Sequence, residues 1–328
     1  MLTTSINTAK NIRQMIPYCL AETHFTFGKK YPGKVRDVYD CGDQLIIVTT
    51  DRLSAFDRSL ALIPYKGQVL NLVSAWWFEQ TRSIVENPLL AIPDVNVMVV
   101  KKCRVFPIEF VVRGYITGST ETALWTQYQK GVRHYCGLSF PEGLKKNERL
   151  AQPVLTPTTK ETKHDRPIAP SDIIAEGWMT KAEWEEASEI ALRLFQLGTE
   201  IAKKQGLILV DTKYELGRDA SGRLVLLDEV HTPDSSRYWL SHTYLERMQK
   251  GEEPDSIDKE FLRLWFKAHC DPYHDETLPA APEELVVTLA ERYIQLYQMI
   301  TGQSFVYAEH MGPIEERILL NLERTKCM

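Results

Sequence analysis

The stretch from Leu207 to Val230 admits one local structure, a β-hairpin, and that hairpin carries more charge than folding requires. From Leu207 to Leu216 the residues alternate with period two, which sends Asp211, Lys213 and Glu215 to one face and Ile208, Val210 and Tyr214 to the other. Gly217-Arg-Asp-Ala-Ser-Gly222 reads as the turn and Leu224-Val-Leu-Leu-Asp-Glu-Val230 as the returning strand, after which an exit loop adds Asp234 and Arg237. A symmetric register centred between Ser221 and Gly222 sets Glu215 opposite Asp228. Facing carboxylates repel. A Mg²⁺ ion, which takes one or two carboxylates together with substrate phosphates, reverses that penalty. The competing reading is a solvated acidic face with Lys213 as internal counter-ion, since ordinary ion-pair networks also gather charges.

With 328 residues the chain can form one large domain or two ordinary ones. A net charge of -5 and the lack of a long Lys/Arg run argue against a nucleic-acid partner. The six cysteines show neither a CxxC pair nor Cys/His ligand spacing, which fits reduced thiols and a cytoplasmic setting. Lys10 and Arg13 precede only a short apolar stretch broken by Pro17, too weak for a signal peptide, and no run is long enough to span a bilayer. The sequence selects neither a monomer nor a homo-oligomer.

Residues 1–20 read as an extension. Gly33 to Asp40 and Gln44 to Thr50 read as paired strands around Cys41-Gly-Asp43, Val69 to Gln80 as an amphipathic helix, and Val95 to Cys103 as a further strand. Pro107 punctuates the chain and places a hinge near Arg104 to Phe106. The expected architecture is therefore α+β with two domains: a β-rich N-terminal domain over 1–105 and a larger α+β domain over 106–328 ending in a helical tail. Leu138 to Asp172, polar and proline-rich, reads as a long functional loop or lid. Thr180 with Glu183 predicts a capping box at the start of a helix that Gly206 ends. Two further helices are predicted, one opened by Pro282 and closed by Gly302 and one over 314–324.

Gly28-Lys-Lys-Tyr-Pro-Gly-Lys34 matches the spacing of a P-loop, but Val35 stands where Ser or Thr is needed and a strand follows where a helix is needed. What remains is a glycine-bearing hairpin with Lys34 and Arg36 on one face, able to cover a polyphosphate; an exposed basic edge strand is the plainer reading. Asp51 to Asp57 is either an Asx-type turn or a ligand loop. Arg113 in isolation is an ordinary surface or paired arginine. In Arg113-Gly-Tyr-Ile-Thr-Gly-Ser119, however, two glycines allow close backbone approach and Ser119 offers a hydroxyl.

Gly33-Lys-Val-Arg-Asp-Val-Tyr39, Thr50 to Asp57, Val111 to Ser119, Thr156-Pro-Thr-Thr-Lys160, His164-Asp165, Asp211 to Gly217 and Asp228 to Trp239 stand together in an order that closely resembles the SAICAR synthetase family. The resemblance implies a two-domain α+β fold similar to ATP-grasp enzymes and kinases, with nucleotide in the cleft. It also implies ATP-dependent joining of L-aspartate to the carboxylate of carboxyaminoimidazole ribonucleotide (CAIR). By resemblance, Lys34 and Arg36 contact ATP phosphates, Lys102 to Phe106, including Val105, offers main-chain groups to adenine, and Glu215 and Asp228 carry Mg²⁺ with Lys213 beside the phosphates. The same resemblance gives Asp57, Glu109, Arg113, Ser119, Asp234 and Arg237 to substrate, and Lys160, His164 and Asp165 to a loop near the aspartate site. A small-molecule kinase would share the nucleotide parts and stop at phosphoryl transfer. A nucleotide sensor has no need of Lys213, Glu215 and Asp228 together.

Overall fold

A computed structural model describes residues 2–161, 165–308 and 312–325, with side chains from residue 8 onward. The chain divides into two compact units, one of Met1–Trp76, Pro88–Lys102 and Asp258–Met328, the other of Trp77–Asn87 and Cys103–Ile257.

The first unit opens with α1 (Leu2–Met15) and is built on an antiparallel sheet of β1 (Lys29–Pro32), β2 (Arg36–Asp40), β3 (Gln44–Thr49), β6 (Leu89–Asp94) and β7 (Val97–Lys101), in the order β1-β2-β3-β7-β6. Between β3 and β6 lie the hairpin β4 (Arg52–Ala55) and β5 (Arg58–Leu62), then α2 (Lys66–Thr81). The hairpin turns on Phe56 and Asp57, both left-handed at φ 55° and 57°, as a two-residue turn between twisted strands requires. Asp51–Asp57 is thus a strand and its turn. Lys34 and Val35 lie in the turn ahead of β2, so the strand begins at Arg36 and not at Gly33.

That turn is pinned from beneath. Asp37 is fully buried and accepts hydrogen bonds from the Thr23 amide and hydroxyl at 2.8 and 2.9 Å and from Arg52 Nη2 at 2.8 Å. Arg52 in turn donates to the carbonyls of Gly33 at 3.0 Å and Lys34 at 3.3 Å. Burial alone would push the Asp37 carboxyl up, but the Arg52 and Thr23 donors outweigh it and hold it below the ordinary carboxylate range.

The second unit is organised by β8 (Arg104–Ile116), which pairs with β11 (Glu148–Leu155), β12 (Thr158–Thr159) and β13 (Leu207–Arg218); β13 also pairs with β14 (Leu224–Leu227) and β15 (Ser236–Leu240), all antiparallel. The ribbon β9 (His134–Tyr135) and β10 (Leu138–Ser139) stands apart, and α3 (Leu124–Gln129), α4 (Pro170–Ala175), α5 (Lys181–Lys204) and α6 (Ser241–Lys250) complete the unit. Both bonds of the Thr180/Glu183 capping box are present at the start of α5. The buried face of α5 holds Trp184, Leu194 and Phe195, and the Phe195 ring takes the space that a side chain at Gly114 of β8 would need.

Two sequence expectations change here. Pro107 does not break the chain: β8 runs through it, and its carbonyl accepts from the Lys160 amide at 3.0 Å just beyond the end of β12, where no ladder bond from residue 107 is needed. Leu138 to Asp172 is not a structureless loop. Its middle is the edge strand β11, whose exposed, proline-bearing composition reads as polar from sequence.

The tail forms α7 (Glu260–His269), α8 (Glu283–Thr301) and α9 (Ile314–Arg324) and belongs to the first unit, a correction to its expected place with the C-terminal domain; the chain also passes between units at Lys102/Cys103, ahead of the expected boundary at 105/106. Ile314, Ile318 and Leu322 join Tyr39, Ile46, Val48, Val97 and Val99 in one core, and Arg317 bonds both oxygens of Asp94 at 3.0 Å. The N-terminal extension is packed as well: Ile12 is fully buried and Arg13 pairs with Glu283 and Glu284 of α8. No described helix is long and apolar enough to cross a membrane.

Candidate active site

Neighbouring strands of the second sheet put the charged residues in rows. Asp211 is the register partner of Arg113 on one side and of Arg237 on the other. Arg113 Nη1 lies 3.1 Å and Arg237 Nη1 2.5 Å from the same oxygen, Oδ2 of Asp211, and Arg113 Nε donates to Thr156 Oγ1 at 2.8 Å. A buried carboxylate between two guanidiniums leaves the trio with one net positive charge, suited to an anion. Gly118, at φ 108°, keeps the approach open: a Cβ there would stand 3.3 Å from Arg237 Nη2 and 2.5 Å from the Ala123 methyl. Ser119 is half-buried in the bend that follows.

Two residues along β13 the pattern inverts. Lys213 Nζ lies 2.9 Å from Glu109 Oε1 and 3.6 Å from Glu215 Oε1, while Lys160 Nζ lies 2.5 Å from Glu215 Oε2. Thr158 Oγ1 donates to the other Glu109 oxygen at 3.3 Å. Burial works against the Lys213 charge, but Glu109, Glu215, Asp228 and Glu229 together overcome it and raise its pKa.

The hairpin register departs from expectation by one residue. Glu215 pairs with Leu227, and on its other side with Glu109; Asp228 follows at the end of β14 with a left-handed backbone, φ 57°. Asp219 Oδ1, accepting from the amides of Ser221 and Arg223, closes the turn early, so the hairpin centres on Ser221 itself. Asp228 nevertheless acts on Lys213, as does Glu229. Glu229, Thr156 and Thr158 were not selected from sequence, although both threonines lie beside Lys160 in a segment that was.

Asp234 is half-buried, its amide donating to Thr232 Oγ1 at 3.3 Å, and Asp165 is exposed, with Oδ1 accepting from the Glu161 amide at 3.1 Å. His164 lies outside the described residues. In the first unit Lys34 Nζ meets Asp57 Oδ1 at 2.5 Å, both side chains about two-thirds exposed, Arg36 is half-buried, and Lys102 Nζ pairs with Asp40 at 2.6 Å. Val105 is exposed at the start of β8.

A family model described as SAICAR synthetase matches residues 29–280. The chain belongs to the SAICAR synthetase family. It is 69% identical over 309 residues to the phosphoribosylaminoimidazole-succinocarboxamide synthase of Legionella pneumophila (strain Paris), covering 94% of this chain and 99% of that one. A solved SAICAR synthase from Saccharomyces cerevisiae complexed with SAICAR superposes with a TM-score of 0.76 at 31% identity, covering 88% of this chain and 100% of that one. A type-2 SAICAR synthetase in complex with ADP gives 0.65 at 25% identity, over 85% of this chain and 100% of that one. As a member of the SAICAR synthetase family the chain carries out the ATP-dependent ligation of L-aspartate to CAIR, forming SAICAR in purine biosynthesis.

Proposed function

We propose that the charged face of β8, β13 and β15 carries this ligation, with Arg113, Arg237, Ser119, Glu109 and Asp234 holding CAIR and Glu215 and Asp228 holding Mg²⁺ beside Lys213. The observation that carries the metal assignment is a convergence of carboxylates. Glu109, Glu215, Asp228 and Glu229 all act on Lys213, and Lys160 pairs with Glu215, so four carboxylates converge where a dication would be drawn. Oxygen donors in this number suit Mg²⁺, which needs no cage of protein ligands when phosphates complete its shell. When bound, the ion offsets charge on the phosphoryl group during transfer.

The chain's own residues do the rest. A carboxylate resists attack by an amine because its charge repels the nucleophile, and transfer of the ATP γ-phosphoryl group to it gives an acyl phosphate with a good leaving group. Lys213 sits where it can stabilise charge on the transferred group, and Lys34 and Arg36 on the first unit cover the polyphosphate. The 102–106 segment, with Lys102 and Val105, presents main-chain groups to adenine. Lys160, His164 and Asp165 receive L-aspartate, with Asp57 a further substrate contact. The thiols of Cys19, Cys41, Cys136 and Cys270, none of them in a disulfide, support a cytoplasmic setting.

Mixing the protein with Mg²⁺-ATP and CAIR, with and without aspartate, tests the reading. Stoichiometric ADP release that requires aspartate is expected. Equal release without it identifies a kinase, and none under either condition a sensor.

A further inference from the structure

His231 lies midway along the loop that carries Asp228 and Asp234 and leads into β15, but its ring turns to the opposite side of the sheet. The ring is fully buried. Its Nε2 lies 2.9 Å from the Tyr214 hydroxyl, its ring centroid lies 4.5 Å from that of Trp77 with the planes tilted by 35°, and its edge fills a slot at Gly198 of α5, where a Cβ would come within 2.3 Å of Cε1. The His231 carbonyl accepts from the Tyr238 hydroxyl of β15 at 2.8 Å. Three elements, α5, β13 and β15, therefore grip one residue. Burial pushes the imidazole down to about 3, against a smaller upward pull from the Leu194 carbonyl, although Nδ1 makes no hydrogen bond of ordinary geometry. The ring is neutral, and its site on the far face keeps it from substrate.

The loop itself is held in a conformation that residues with side chains rarely adopt. Both Asp228 and His231 are left-handed without being glycine, at φ 57° and 50°. Such backbone persists where the surroundings over-determine it. Beyond His231, Thr232 bonds Glu229 through its hydroxyl, and the Lys213 amide donates to the Ser235 carbonyl at 3.1 Å, tying the loop back to β13.

We propose that His231 is a positioning residue: by locking the loop to α5, β13 and β15 from behind, it sets where Asp228 and Asp234 stand on either side of it, without touching either ligand. The inference rests on the assignment of Asp228 to the metal. If His231 only filled the core, loosening its contacts would lower stability and leave metal and substrate binding alone.

Tyr214→Phe removes one hydroxyl at constant ring volume, and Gly198→Ala pushes on the imidazole from α5; neither residue lies on the charged face. The readouts are Mn²⁺-ADP binding by electron paramagnetic resonance, kcat, and the thermal midpoint, with Asp228→Asn alongside. Each variant is expected to weaken Mn²⁺-ADP binding and lower kcat on the order of tenfold or more while keeping the parental circular dichroism, since small displacements of catalytic groups are costly. If Gly198→Ala does not fold, Tyr214→Phe decides. Parental metal binding and kcat in folded Tyr214→Phe, with binding lost in Asp228→Asn, overturn the positioning role alone. Undiminished binding in Asp228→Asn overturns the metal assignment and the positioning role together.

Discussion

A single carboxylate set between two arginines does more than neutralise them. Asp211 fixes the spacing of Arg113 and Arg237 through one oxygen, and it is nearly buried, so its loss leaves two like charges facing each other in a poorly solvated site. Replacing Arg113 or Arg237 with Ala is expected to raise the KM for CAIR by roughly a hundredfold, corresponding to about 2.7 kcal/mol for a charge-assisted pair, with the KM for ATP nearly unchanged. Steady-state kinetics with each substrate varied in turn checks this, and the reverse pattern moves the arginines to the nucleotide. A second residue-scale expectation concerns acid. Because the Asp37 carboxyl is held below its ordinary range, its stabilising contribution is complete above the unfolded pKa and is lost as pH falls through the folded one. Asp37→Asn should therefore be less stable than the parent at pH 7, by about 3 kcal/mol, with the gap closing as pH drops below about 4. Urea unfolding at pH 7, 5 and 3 measures it; a gap that does not change with pH removes the ionic explanation.

At the scale of elements, the site depends on how closely β8 and β13 run at their outer ends. Gly217 allows that approach, since a Cβ on it would lie 2.3 Å from the Arg104 carbonyl. Gly217→Ala is expected to destabilise by about 2 kcal/mol and to impair nucleotide use before CAIR binding, because the disturbed end of β8 carries Val105 and not Arg113. Thermal melts and separate KM values test it. Much of this layer was legible beforehand. The parity of Asp211, Lys213 and Glu215, the capping box at Thr180 and the stop at Gly302 are local signals, and each stands in the structure. The Glu215–Asp228 facing was misread because the Asp219 turn, built on side-chain hydrogen bonds, closes one residue earlier than symmetry suggests. Strand β11 was missed because an exposed edge with a proline and a register shift lacks alternation. Glu229 reads from sequence as part of the returning strand, which ends at Leu227, and His231 gives no periodic signal; both lie in a loop whose meaning comes from residues distant in sequence.

For the molecule as a whole, the return of the tail to the first unit changes what truncation should do. Sequence order suggests that removing residues 258–328 trims the substrate domain, whereas the core shared by Ile314, Ile318 and Leu322 with the first sheet predicts damage there. In a chain ending at Ile257, hydrogen exchange should speed up across β2, β3 and β7 and leave β8 and β13 protected. Equal deprotection of both sheets, or of neither, contradicts that partition. Arg317→Ala is a milder form of the same experiment, opening the bidentate pair with buried Asp94, and is expected to cost about 3–5 kcal/mol.

One strand also works as a ruler. Asp211, which pairs with both arginines proposed for CAIR, and Glu215, proposed for the metal, stand four residues apart on β13, so strand rise alone separates them by roughly 13 Å. A β-strand paired on both sides stretches very little, so under that assignment this length is part of what the site selects. A substrate analogue with its anion one bond nearer to its carboxylate can satisfy either end, not both. Inserting a residue between the two marks would not lengthen the gauge: it would turn Glu215 to the face opposite Asp211 and erase one of its ends.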